Sequence, residues 1–235
     1  MKPLTKTEKA VLSGGTVYQT KVKAVSDGLG KTERVIKRSK NAKLGKTVTA
    51  KAWQGMPIYT VTLEERATCP RSCVHWADCY GNNMPFATRY AAGADLESAI
   101  WSELEVLQKR HPEGFAVRLH VLGDFYSVGY VALWARALAS FPALHVWGYT
   151  ARHPGTDIGD AVDTLNRECS DRWLVRFSGL HGHALGALSM DEAETVSAVE
   201  KREAFICPEQ TGKVDGCAAC ALCWKAQKPV AFITH

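Results

Sequence analysis

The sequence predicts an α/β protein with a mostly parallel sheet, and three observations carry that expectation. From position 56 to 178, stretches rich in β-branched and aromatic residues alternate with helical stretches of about a dozen residues. Such alternation makes right-handed βαβ units. Two strands have an apolar face (Val117, Leu119, Val121; Trp173, Val175, Phe177) and a polar one (Arg118, His120; Arg172, Arg176). A parallel strand buried on both sides is nearly all apolar, so the polar face is expected to line something. This fits an open, partial (β/α) barrel around a charged ligand better than a full barrel plugged with branched side chains. The alternative is a sheet with helices on one face and water on the other.

Residues 1–52 form a basic N-terminal extension, with thirteen Lys or Arg against three Asp or Glu, while the remainder is mildly acidic. Such a leader suggests contact with the phosphates of a nucleic acid or nucleotide, or else a solvated tail. No aromatics interleave with its lysines beyond Tyr18 and Trp53, so it offers no stacking platform. Turn-rich spots at 13–15 and 26–31 flank the alternating "TVYQTKVKAV", which suggests a small hairpin. "KRSKNAKLGK" (37–46) reads as a basic loop.

The α/β body covers 53–235. "MPIYTVTLEE" is its first strand, and "DLESAIWSELEVLQKRH" a helix with Asp95 as N-cap and Leu96, Ile100, Leu104 and Leu107 on one face. "FAVRLHVLGDF", "ALHVWGYTAR" and "RWLVRFSG" are strands, separated by the helices "VGYVALWARALASF" and "DIGDAVDTLNREC". Beyond Gly179 the pattern weakens, although "REAFIC" and "PVAFITH" suit closing strands around a cysteine-rich segment at 203–225.

There is no long apolar run, and the basic, polar start has no signal-peptide pattern, so no membrane association is expected and a cytoplasm is the default compartment. Disulfides do not persist there, and clustered cysteines more often bind metal or react. Cys69, Cys73 and Cys79 lie between the first strand and first helix with the spacing C-x3-C-x5-C. Loops at the carboxyl ends of parallel strands are where α/β folds bind ligands. Three thiolates there can hold three irons of a [4Fe–4S] cluster and leave the fourth open. One zinc ion would need a fourth ligand, for which His75 is nearest.

Cys207, Cys217, Cys220 and Cys223 form a second group, in which C-x2-C-x2-C matches the opening of bacterial ferredoxin cluster loops. These four can close one cluster alone, or lend a ligand to the first loop, so one or two clusters are expected. Cys169 reads as a packing residue, and His181 and His183 as a weak metal pair. After the second strand, Gly123, Asp124 and Phe125 offer a close backbone approach and a carboxylate that could meet an ammonium group. Arg152 and Ser178–Gly179 are expected at the same edge. Arg118, His120, Arg152 and Arg176 are candidates for ligand contact. Hydrolytic zinc chemistry lacks its motifs, HExxH or H-x-E…P-C-x-x-C.

Cysteines after the first strand, a glycine–acid turn after the second and a polar partial barrel make the layout similar to radical S-adenosylmethionine enzymes. The resemblance implies that Cys69, Cys73 and Cys79 hold the open-iron cluster and that Gly123–Asp124–Phe125 meet the amine of S-adenosylmethionine. It also implies an electron donor as partner. The usual spacing in that superfamily is C-x3-C-x2-C, with an aromatic before the last cysteine; here the last interval is longer and Tyr80 follows it. The segments "NAKLGK", "TCPRSCVHWADCY", "RLHVLGDFYSVGYVALW", "WGYTAR", "RFSG" and "CPEQTGK…CAACALCW" resemble the phage gene product 88 family. That resemblance implies a phage or prophage origin and action in the host cytoplasm. The function expected is an iron–sulfur, radical-SAM-like enzyme modifying a nucleotide, nucleic acid or peptide. The alternative is a non-catalytic metal-stabilised protein binding nucleic acid or a host protein.

Overall fold

A computed structural model describes residues 3–27 and 33–234. The leader begins with helix α1 (Lys6–Ser13), which the sequence reading missed although its capping box was legible. Thr5 accepts from the Glu8 N–H while the Glu8 carboxylate accepts from the Thr5 N–H. Among the described residues the expected hairpin does not form. Strand β1 (Val22–Lys23) instead pairs in parallel with β4 (Arg89–Tyr90) from the body. Alternation marks a strand but does not choose its partner. The turn-rich spot at 26–31 lies mostly outside the described residues.

Eight strands form one sheet, which among the described residues is open at both edges. Their chain order is β2 (Lys37–Arg38), β3 (Ile58–Thr60), β5 (Phe115–Leu119), β6 (Leu144–Thr150), β7 (Trp173–Ser178), β8 (Gly186–Met190), β9 (Phe205–Ile206) and β10 (Val230–Ile233). In space they run β2-β3-β5-β6-β7-β8-β10-β9, and only the β2–β3 pair is antiparallel. Helices α2 (Ala94–Arg110), α3 (Val128–Ser140) and α4 (Asp157–Glu168) connect β4 to β5, β5 to β6 and β6 to β7; α5 (Glu192–Glu200) follows β8. From β3 to β8 the order advances one way, as expected when successive crossovers share a hand.

The main core joins Val117, Leu119, Val146, Trp173, Val175 and Phe177 to Leu96, Ile100, Leu104, Trp134, Leu138 and Val162 of the helices. The apolar strand face is thus the helix face. Gly93, not Asp95, is the N-cap of α2; Asp95 lies in the first turn, where its charge still favours the helix dipole.

The opposite face is neither empty nor wet. Leu44 and Val48 from the leader, Trp53 just after it, and Ala218, Ala221, Cys223 and Trp224 from the C-terminal segment cover it, packed on Ile58, Ala116 and Trp147. Trp53 stacks on Trp224 at 5.6 Å, and Trp147 meets Trp224 at 4.6 Å. The Cys217 N–H donates to the Lys43 carbonyl (2.8 Å), and the Thr49 and Ala50 N–H groups donate to Ala218. Leader and cysteine-rich segment therefore form one layer.

Two side chains assigned to the polar face leave it. His120 lies beyond the end of β5, buried against Phe125 and Tyr130 on the helix side, where burial pushes its imidazole down to about 3. Arg172 precedes β7 and donates to the carbonyls of Leu138 and Phe141 at the end of α3. A charge at a helix C-terminus favours that position. Period-two alternation holds only within a strand, and both residues sit outside theirs. No helix among the described residues is long and apolar enough to cross a membrane.

Candidate functional site

The first cysteine loop leaves the carboxyl edge of the sheet after β3. Turns close on its cysteines: the Cys73 N–H donates to Pro70, Trp76 to Cys73 and Asn82 to Cys79. Two buried arginines hold it. Arg66, in left-handed conformation at φ 63°, donates to the Trp76 carbonyl (2.8 Å) and the Asn82 side-chain oxygen (2.7 Å). Arg89 forms a fully buried fork on Glu65 at 2.6 and 3.0 Å and donates to the Gly81, Met84 and Ala87 carbonyls. The Thr16 hydroxyl donates to the same Glu65 (2.6 Å), tying in the leader. A buried arginine acquires this many acceptors only where the backbone is shaped around it.

The Cys69, Cys73 and Cys79 thiols are half-buried, and burial pushes all three above the ordinary thiol range, Cys69 to about 12. The Cys69 site feels the charges of Asp124, Cys73 and Cys79. Backbone hydrogen bonds from Arg66, His75 and Gly81 pull the other way, each toward the thiolate of one cysteine. Arg66 and Arg89 also favour the Cys79 thiolate.

Gly123, Asp124, Phe125 and Arg152 stand beside this loop as one knot. Gly123 has φ 84°, and a Cβ there would lie 2.6 Å from Leu63 and from the Thr68 hydroxyl, so only glycine fits. Buried Asp124 accepts from the Phe125 N–H (2.7 Å), the Thr150 hydroxyl (2.7 Å) and the Ala151 N–H (2.8 Å). Arg152 donates to the Phe125 (3.0 Å) and Thr68 (2.9 Å) carbonyls. These contacts tie the ends of β5 and β6 to the cysteine loop. Ser178, at the end of β7, accepts through its carbonyl from His153 (2.7 Å) when that ring nitrogen is protonated. With Val74, His75, Tyr149, Gly179 and Phe232 it lines a cavity of about 280 Å³. His75 approaches Ser189 (3.4 Å) and Asp78 (3.5 Å). His183 accepts from the Leu185 N–H, and Cys169 packs at the margin of the main core.

The second group lies against the non-helical sheet face. Helices α6 (Cys217–Cys220) and α7 (Leu222–Lys225) carry three of its cysteines, and buried Cys207 follows β9. Arg176 is fully buried, and its guanidinium donates to the carbonyls of Cys223, Leu222, Ala226 and Lys228 at 2.6–3.0 Å. It clamps the segment onto β7. Burial pushes the Cys223 thiol up, against the pull of a hydrogen bond from the Tyr149 hydroxyl, and pushes Cys217 up to about 12. The Cys217 site feels Cys207, Cys220 and Cys223, so these four thiols are neighbours. The Arg118 guanidinium lies 5.1 Å from the Tyr149 ring, and its charge is felt at Tyr80, Cys217 and Cys223.

The fold therefore brings the candidate residues into two neighbouring regions bridged by Tyr149 and Arg118. All eight cysteines are free thiols. Among the described residues, no three His, Cys, Asp or Glu side chains converge on a point where a single metal ion could sit. The sequence reading missed Glu65, Arg66, Arg89 and Tyr149; the "EER" before the cysteines was the one visible cue.

The model of a family described as Gene product 88 matches residues 34–226, a span holding both cysteine groups. The chain belongs to the gene product 88 family. It is 28% identical over 145 residues to the Gene 88 protein of Mycobacterium phage D29, covering 54% of this chain and 57% of that protein. The Gene 88 protein of Mycobacterium phage L5 is 27% identical over 134 residues, covering 50% and 54%. The chain thus spans little more than half the length of these curated relatives. No solved structure matches it.

Proposed function

We propose that this member of the gene product 88 family is a phage iron–sulfur protein of radical-SAM-like layout, acting on a nucleotide, nucleic acid or peptide in the infected cell. The observation that carries the reading is the pairing of two thiol groups, one at the carboxyl edge of the sheet and one against its non-helical face, each with its own hydrogen-bond donors. Cys69, Cys73 and Cys79 would hold one group and Cys207, Cys217, Cys220 and Cys223 a second. Desolvated thiols with donors aimed at sulfur are how proteins tune such groups. Bound there, a cluster supplies one-electron transfer.

The chain's own residues do the rest. Arg66 and Arg89 fix the first loop and offset thiolate charge, and Arg176 fixes the second. The one-way strand order with α2, α3 and α4 on one face supports a partial barrel whose ligand space is the edge cavity beside Val74 and His75. At about 280 Å³ that cavity is at the small end of small-molecule sites, about 300–1,000 Å³. Asp124 already has three internal donors, so Gly123–Asp124–Phe125 would shape this edge rather than offer a free carboxylate.

The test is the iron, acid-labile sulfide and zinc content of anaerobically purified protein, with EPR of the reduced form before and after S-adenosylmethionine. About four or eight irons per chain, with a signal altered by S-adenosylmethionine, is expected. An indifferent signal removes the radical-SAM part. Stoichiometric zinc without sulfide overturns the reading in favour of a metal-stabilised binding protein.

A further inference from the structure

A second cavity, of about 980 Å³, lies away from the edge cavity, between leader residues 33–44, β3, the loop 84–88 and the end of α2. Its lining gathers Arg34, Lys37, Arg38, Lys40, Arg110 and Arg118 from three parts of the chain. Only two carboxylates line it, and both are engaged. Glu33 pairs with Lys23, and Glu103 accepts from the Val35 and Ile36 N–H groups. Among the described residues, Lys37, Arg38, Lys40, Arg110 and Arg118 form no ion pair. At the inner end the buried Arg118 Nε has no hydrogen-bond partner. At the rim Phe86 is 91% exposed.

We propose that this groove binds single-stranded nucleic acid, with the cations along the phosphates and a base on Phe86. A concave, strongly cationic groove with an exposed ring is the combination that single strands use, charge for the backbone and a flat apolar face for bases. A duplex keeps its base faces stacked and has no use for the ring. The leader alone lacked such an aromatic; the fold supplies it from residue 86. Apart from Arg118, whose charge also reaches Cys217 and Cys223, the groove's cations do not depend on what the cysteines hold.

The test uses the full chain as purified, with a fluorescently labelled DNA single strand of about twelve nucleotides, its duplex as competitor, and anisotropy across a salt series. Single-strand binding that weakens with salt is expected. Lys37→Gln, Arg38→Gln and Lys40→Gln made together should weaken binding at least about tenfold and reduce the log–log salt slope by roughly two. Phe86→Ala, at an exposed position, should weaken binding about tenfold with the slope unchanged. Neutralising Lys6, Lys9 and Lys21, leader lysines outside the groove, should leave affinity close to that of the parent. The proposal is overturned if both triple variants weaken binding equally, if duplex competes as well as single strand and Phe86→Ala is silent, or if no oligonucleotide binds at low salt. Metal content of each variant is measured in parallel, so a failure here is separate from a failure of the iron–sulfur reading.

Discussion

The two cysteine regions are held by opposite devices. The first is an edge loop whose shape comes from buried charges, Arg66 and the Glu65–Arg89 fork, reaching its backbone carbonyls, and it borders a cavity. The second is pressed against the sheet by Trp53, Trp147 and Trp224, with one guanidinium, Arg176, satisfying four carbonyls that packing would otherwise strand. Cys207 and Cys223 are buried, whereas Cys217 and Cys220 are half-exposed like the first three thiols. The regions differ in their support, a frame of buried charges beside a cavity for one and tryptophan packing with one guanidinium for the other. The comparison teaches that two thiol groups of similar exposure can be held by unlike physical means.

If the two thiol groups hold iron–sulfur clusters as proposed, removing the support of one region should cost that region its cluster and spare the other. Glu65→Gln has the largest expected effect, because it leaves Arg89 as an uncompensated buried charge. Unfolding stability should fall by about 3–5 kcal/mol, read from denaturant midpoints, with iron lost from the first group only. If all metal is lost together, the two regions are one cooperative unit and the comparison breaks.

Arg176→Met is next. It keeps apolar volume but strands several buried carbonyls, at about 1–3 kcal/mol for each left without a donor. We expect a destabilisation of about 3 kcal/mol, metal loss confined to the second group, and faster proteolysis within 207–228. Unchanged proteolysis would mean that the tryptophan packing, rather than the clamp, seats the segment.

Tyr149→Phe sharpens the comparison with the smallest change. It removes the hydroxyl at Cys223 but keeps the ring beside Arg118 and the cavity. Stability should fall by about 1 kcal/mol, and the EPR signal of the second group should shift while that of the first stays put. A shift in both would show that Tyr149 couples the two regions.

Helices α2, α3 and α4 and strands β5, β6 and β7 were legible because their apolar periods report burial on one face directly. The cysteine spacings and the carboxyl-edge position of Gly123, Asp124 and Arg152 were legible for the same local reason: strand-then-helix order puts each loop at one edge. Partners separated by long stretches of chain were not. Arg176 could be read as a polar-face residue, yet nothing near it says that its acceptors lie at 222–228. Arg118 and His120, two positions apart, part company because β5 ends at Leu119.

Composition and periodicity, then, specified an α/β chain with two thiol groups and a basic leader, since these depend only on neighbours along the chain. Only the folded arrangement decided that the leader and the cysteine-rich segment share one layer, that Glu65 and Arg89 meet, and that Phe86 stands at a cationic groove. Those are contacts between distant residues. They exist because burying a charge or a carbonyl demands a partner, and the sequence does not say which distant residue the fold will bring.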